Sequence, residues 1–405
     1  MKANFHSALV LFLFLIFPLL VFNACGDDDD PGSGHGQAQD NDDDAAAGDD
    51  DDNDDSGGGG TDDDNDSGDD DDDNDNLDKL QELFDKMDVD RYIGIEPESS
   101  APGHNGYTYF TYSTDDCRCT FGAKMQVAIH PGTENKVMLF MEGGGATWPG
   151  GGFAVPLDYP WDMGFKSFEE DNPLRNWSFI YVPHCDHSIH MGDNELMENG
   201  RWAYHHGLRQ VGAAVTLMRK YFPHPDKILV SGSSAGGYGT YLGWAIVKSQ
   251  YMDTDTYIMN DSGTGFWNPD DLASWEVIKD AWNIQIPDDC TKCGGTVQTY
   301  IYELYLQYDR QLRIGLFSSY HDWIISTWFL GMDPDRFEET LMAVTDEIHA
   351  DYPGRFKRFF VQGNTHTTYE FLLPGGPHRA IRGTTLYDWI GQLVDEDPTW
   401  RDLLE

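Results

Sequence analysis

A chain of 405 residues with 26 Lys and Arg against 71 Asp and Glu carries a formal net charge of −45. A surface so rich in negative charge repels phosphate backbones, so nucleic acid is excluded as an expected partner. The 40% of apolar and aromatic residues is ordinary for a globular protein and leaves material for a large core.

In chain order, Lys2 precedes an apolar run from Ala8 to Phe22. That run is too short for a membrane span and right for the core of a signal peptide. Ala24 then sets a small residue before Cys25, as in a bacterial lipoprotein signal, with Phe22 where Leu is usual. Residues 1–24 are therefore expected to be cleaved, leaving Cys25 acylated and the protein exported and anchored to a membrane of the bacterial cell envelope, the outer membrane or the cell surface. Several acyl chains on one cysteine hold firmly where one holds marginally. Ordinary signal cleavage with a soluble product is the alternative.

Residues 26–76 are almost wholly Asp, Asn, Gly, Ser and Ala, with no Lys, Arg or large apolar side chain. Nothing there can be buried to offset ordering entropy, so 25–76 reads as a disordered, self-repelling tether. Removing its 24 Asp from the formal −45 still leaves −21 on the remainder. Asp62-Asp63-Asp64-Asn65-Asp66 has the look of a calcium loop. Ser67 replaces the required glycine and Asp73 the bidentate Glu, so no defined calcium site is expected.

Leu77 to Met87 spaces Leu77, Leu80, Leu83, Phe84 and Met87 along one helical face. From there to residue 405 no further linker interrupts the chain, so 77–405 is one large catalytic domain. Strand-like runs occur at Tyr107–Tyr112, Met125–His130, Val137–Met141, Phe179–Val182, Ile228–Val230, Tyr257–Met259, Ile314–Phe317 and Phe359–Val361. From the middle onward they alternate with helical stretches such as Leu208–Tyr221. The expected fold is α/β, a mostly parallel central sheet flanked by helices.

Four turns after these strands carry chemistry. The strand ending at Met141 runs into Glu142-Gly143-Gly144-Gly145-Ala146, and three consecutive glycines can turn backbone N–H groups toward a developing oxyanion. Gly144 and Gly145 are the expected donors, with Ala235 the third. Gly232-Ser233-Ser234-Ala235-Gly236 follows a buried strand and precedes a helix, the strand-elbow-helix setting that exposes a nucleophilic serine. Its central residue, Ser234, is the candidate nucleophile. Asp322, after the late strand at Ile314–Phe317, and His366, after the last strand at Phe359–Val361, follow in the chain order Ser, acid, His. Asp322 would fix the tautomer of His366 so that its other nitrogen takes the serine proton. Asp261 is the rival acid, and His321 and His378 are rival bases.

Taken together, the elbow, the Glu142–Gly145 turn, Asn176-Trp177 leading into Ile180–Asp186, Asp261-Ser262-Gly263 and Arg382-Gly383-Thr384-Thr385-Leu386 resemble the pectin acetylesterase family, which includes the animal carboxylesterase Notum. The resemblance covers roughly residues 105–395. It implies an α/β-hydrolase fold, a serine carboxylesterase with Ser234, Asp322 and His366 as its triad, and no cofactor. Thr147 stands where the family often has Cys, and His184 where it has Tyr. Members remove acetyl groups from cell-wall polysaccharide or a fatty acyl group from protein, so fold alone does not fix the substrate. An acetyl ester, borne by a polysaccharide, is the expected substrate, and the enzyme is expected to act as a monomer.

Five cysteines follow Cys25 in a compartment that permits disulfides. Cys290 and Cys293 are close enough to pair, and Cys117 or Cys119 could reach Cys185, leaving one thiol free. Zinc is the rival reading of Cys290-Thr291-Lys292-Cys293, without a second ligand pair of finger spacing. Trp148, Trp267 and Trp323, with His187, are candidate walls of a substrate pocket, and Trp202 and Tyr204 belong to the same aromatic-rich neighbourhood. Two other functions remain open at this stage. His187, His190 and Asp193 could hold a metal for a metallohydrolase, although no helix-borne ligand pair with a general-base Glu accompanies them. A non-catalytic surface binding lipoprotein would need the triad to be coincidence.

Overall fold

The computed structural model describes residues 69–405, apart from 156–159, 161, 162, 199, 370 and 371. The expected signal peptide, Cys25 and residues 26–68 lie outside the described residues. The first element, α1 (Asp69–Met87), begins well before the Leu77 that its apolar pattern marks. Residues 69–76, grouped with the tether by composition, are therefore helical. Acidic residues suit the first turns of a helix, where the backbone dipole is positive. Leu80, Leu83 and Phe84 are buried, and the Phe84 ring lies 6.0 Å from that of Trp244.

Then follow β1 (Ser99–Pro102), β2 (Thr108–Thr111), β3 (Gln126–His130), β4 (Lys136–Met141), β5 (Gly145–Trp148), β6 (Gly151–Ala154), β7 (Ser178–Val182), β8 (Asn194–Glu198) and β9 (Arg201–His205). The second half alternates α2 (Gly207–Tyr221), β10 (Lys227–Ser233), α3 (Ala235–Gln250), β11 (Asp255–Asp261), α4 (Leu272–Trp282), α5 (Tyr300–Tyr308) and β12 (Arg313–Ser319). A π-helical segment (Ile324–Phe329), α6 (Pro334–Asp351), β13 (Phe356–Val361), β14 (Ala380–Ile381), β15 (Thr384–Thr385), α7 (Leu386–Val394) and β16 (Leu403–Leu404) complete the chain.

One sheet of ten strands runs in the order β1-β2-β3-β7-β4-β10-β11-β12-β13-β16. The β1, β2, β3 and β7 neighbours are antiparallel, and every pairing from β7 to β16 is parallel. This is the mostly parallel, helix-flanked sheet of an α/β-hydrolase-like fold. Its parallel strands are apolar at consecutive positions because both faces are covered. Val137, Leu139 and Met141 of β4 join the core with α2 and α3, while Met138 and Phe140 join the opposite core with Trp389 and Ile390 of α7. The hairpins β5-β6 and β8-β9 stand outside this sheet.

Disulfides join Cys119 to Cys185 and Cys290 to Cys293, and Cys117 is the buried free thiol. The first ties the loop after β7 to the segment before β3. Among the described residues no helix is long and apolar enough to cross a membrane.

Candidate active site

The turn after β4, the elbow after β10, Asp322 after β12 and His366 after β13 all follow the carboxyl ends of parallel strands. They therefore gather at one edge of the sheet, where open α/β folds build their sites. Ser234 sits between β10 and α3 with φ 55° and ψ −116°. That left-handed backbone is costly for a residue with a Cβ and is imposed by its surroundings. Close approach makes the flanking glycines obligatory: a Cβ on Gly232 would lie 2.2 Å from the Gly236 carbonyl oxygen, and one on Gly236 would lie 1.9 Å from that of Met141. The Ser234 N–H donates to the Asp261 carbonyl at 2.7 Å, fixing the elbow to β11.

The glycine turn lies against this elbow. A Cβ on Gly143 would stand 2.8 Å from the Ser233 carbonyl oxygen and 3.1 Å from Ser234 Cβ, while Gly144 and Gly145 have φ of 148° and 87°. The Gly143 N–H is used by Glu142 Oε1 at 3.0 Å. Gly145 lines the cleft at Ser234 together with Ala235, the first residue of α3, whose N–H lies at the positive end of a helix.

The imidazole of His366 hydrogen-bonds through Nδ1 to Asp322 Oδ2 at 2.8 Å. Asp322 is fully buried, and its other oxygen accepts the Ile325 N–H at 3.0 Å, so the π-helical segment orients the carboxylate. The rival acid Asp261 is equally buried but turned to hydroxyls, accepting from Ser233 Oγ at 2.7 Å and Thr368 Oγ1 at 2.8 Å. Burial pushes its carboxyl up, against the pull of these bonds. The Thr367 N–H donates to Ser262 Oγ at 3.0 Å, so the His366 loop is docked on the same Asp261-Ser262 pair that receives the Ser234 amide. His321 bonds Glu338 at 2.8 Å, and the exposed His378 lies between Glu169 and Asp171.

The cleft beside Ser234 is walled by Ile189, Tyr238, Ile324, Ile325, Trp328 and Phe329, and leaves a space of about 20 Å³. That is about the room of one water molecule. Trp148 and Trp267 lie one layer back, their rings 6.0 and 5.2 Å from that of Phe329. Trp323 is 38% exposed at the start of the π-helical segment. His187 is buried behind β5, its backbone oxygen accepting from the Thr147 N–H at 3.0 Å. Trp202 is exposed and stacks on Tyr204. The π-helical wall was missed from sequence, because Ile324-Ile325-Ser326-Thr327-Trp328-Phe329 has the composition of an ordinary buried helix or strand.

The loop after β7 does not converge on a metal through the three residues named above. His190 Nε2 donates to the Glu142 carbonyl at 2.8 Å, and Asp193 is taken by Arg209 Nε at 2.7 Å. Among the described residues, the His, Cys, Asp and Glu group whose ligand atoms come within 4.8 Å of one another is Glu169, Asp171 and His378, on the surface. His187, Ile189 and His190 have φ of 59°, 51° and 59°. This strained loop turns Ile189 into the cleft and buries His184, Asp186 and His190 behind the glycine turn. A Cβ on Gly144 would meet His184 Nδ1 at 2.5 Å, so His184, where the resembled family has Tyr, fills the space beneath the turn.

No curated protein matches the chain. Residues 161–292 match the pectinacetylesterase family model, a span that holds β7, the His184–Asp193 loop, the elbow and β11 but neither the glycine turn nor Asp322 and His366. Set on a sheet of this topology, that match makes the chain similar to the pectin acetylesterase family over this span, and supports a carboxylic ester hydrolase at the level of the family.

Proposed function

We propose that the protein is a serine esterase that removes acetyl groups from a polysaccharide, with Ser234 as nucleophile, His366 as base and Asp322 as its orienting acid. The observation that carries this reading is the His366–Asp322 bond beside a strained serine elbow. His366 would take the Ser234 proton through Nε2 as Oγ attacks the ester carbonyl, and Asp322 would stabilise the resulting imidazolium. The N–H groups of Gly145 and Ala235, with Gly144, would receive the oxyanion. Collapse expels the sugar hydroxyl, protonated by His366, and leaves acetyl-Ser234. Water, deprotonated by the same imidazole, then releases acetate. The chemistry needs no cofactor.

The apolar side chains around Ser234 suit the methyl of an acetyl group. Attachment to a cell-envelope membrane through Cys25, with residues 26–68 as spacer, belongs to the same proposal and rests on sequence alone. The decisive experiment is Ser234→Ala. Labelling by a fluorophosphonate probe and turnover of nitrophenyl acetate should both vanish, by several orders of magnitude in rate, while the near-UV spectrum of the folded protein stays. Undiminished labelling of the variant would move the nucleophile elsewhere.

A further inference from the structure

Resting on the esterase reading above, we infer that Glu142, Lys166 and Tyr369 form a buried brace that positions the glycine turn against the elbow and the His366 loop. All three side chains are buried. Lys166 Nζ lies 2.6 Å from Glu142 Oε2 and 3.0 Å from the Tyr369 hydroxyl, and Tyr369 in turn donates to Glu142 Oε1. Burial, then the neighbouring Glu142 carboxylate, holds the Tyr369 phenol far above its ordinary value, so it stays a donor.

Every polar atom of Glu142 is engaged. Its N–H donates to the Val182 carbonyl at 3.0 Å, its carbonyl accepts from His190 Nε2 at 2.8 Å, and Oε1 also accepts the Gly143 N–H at 3.0 Å. The peptide planes entering the glycine turn are thereby fixed, and with them the direction of the Gly144 and Gly145 N–H groups. Tyr369 follows the His366 loop by three residues and also interacts with the Ser233 side chain, next to the nucleophile. One hydroxyl thus links the turn, the elbow and the histidine loop. A buried ion pair is a weak source of stability, because desolvation cancels most of its attraction. Its effect here is geometric, selecting one arrangement of three loops that sequence separates by up to 227 residues.

Tyr369→Phe removes that link and keeps the Lys166–Glu142 pair intact. The full-length protein is first titrated with a fluorophosphonate to count competent Ser234 sites. Per titrated site, kcat on nitrophenyl acetate should fall on the order of tenfold, the factor carried by losing one hydrogen bond's worth of transition-state stabilisation. KM should stay within about twofold and affinity for a boronic acid transition-state analogue should fall in parallel with kcat. Glu142→Gln with Lys166→Met, which removes both charges together and leaves neither unpaired, should lower kcat further, toward the about 100-fold that a misplaced catalytic group costs. An unchanged kcat per site in both variants, with only thermal stability altered, overturns the brace while leaving the esterase reading intact. Wild-type protein that cannot be titrated at Ser234 takes down the esterase reading and the brace with it.

Discussion

Two histidine-carboxylate pairs flank the serine elbow, and they are built differently. His366 and Asp322 meet at 2.8 Å, and the imidazole keeps a small exposed edge of 7%. His190 and Asp186 stand 3.9 Å apart, both fully buried, and His190 spends Nε2 on the Glu142 backbone. The residue types are the same, yet one pair has a ring nitrogen to offer a substrate and the other is consumed by scaffold. The difference comes from the loops. The π-helical segment aims Asp322 at its histidine, whereas Ser188 captures the Asp186 carboxylate through its N–H at 2.8 Å and through its hydroxyl.

Replacing an acid breaks this comparison most sharply. Asp322→Asn should lower kcat about 10⁴-fold, because the amide favours the wrong tautomer of His366. Asp261→Asn leaves that tautomer untouched and disturbs the bonds from Ser233 and Thr368, so its main cost should be stability, about 1–3 kcal/mol. Turnover and chemical denaturation of the two variants separate the roles, and the reverse ranking in kcat would refute the assignment of Asp322.

Protonation sharpens the scaffold side of the comparison. Burial pushes His184 from 6.5 down to about 3, and His187 is lowered for the same reason. Between those values the unfolded chain binds a proton that the folded one refuses. Stability therefore rises with pH across the window from 3 to 6.5 and is lost as pH falls from 6.5. Each such imidazole adds a slope of up to about 1.4 kcal/mol per pH unit. Asp186, for which burial is outweighed by His190 and the bonds from Ser188, lies at about 2 and extends the loss below 3.8. His184→Phe should flatten urea-derived stability between pH 6.5 and pH 4, and an unaltered slope would show that His184 is not held neutral.

Much of this site was legible in the chain because it is local. The elbow needs five residues with two glycines, and the strands that carry Asp322 and His366 announce themselves by apolar runs buried on both faces. The brace was not legible. Lys166 lies in Gly164-Phe165-Lys166, which has no local pattern, and its partners are 24 and 203 residues away. The hairpins escaped for another reason: β8 alternates intermediate and exposed residues with none buried, and β5-β6 is so rich in glycine that it reads as turn. The cleft wall escaped because a π-helix has no distinct signature against an α-helix of the same apolar residues. Aromatic content pointed to Trp148 and Trp267, which support Phe329 from behind, while the wall itself mixes aliphatic and aromatic side chains and comes mostly from the segment that also orients Asp322.

The smallest expected effect tests whether the loop that carries the scaffold pair has chemistry of its own. If His187, His190 and Asp193 served a metal, chelation would remove activity and zinc would restore it. In the structure His190 donates to Glu142 and Asp193 pairs with Arg209 and Arg91, so a metal there would have to break two ion pairs and the bond that fixes the glycine turn. Prolonged EDTA treatment should therefore leave turnover of nitrophenyl acetate within about twofold of its starting value, the scatter of an uninvolved treatment. A loss reversed by zinc would instead assign the reaction to this loop, and His366 and Asp322 would become the scaffold pair.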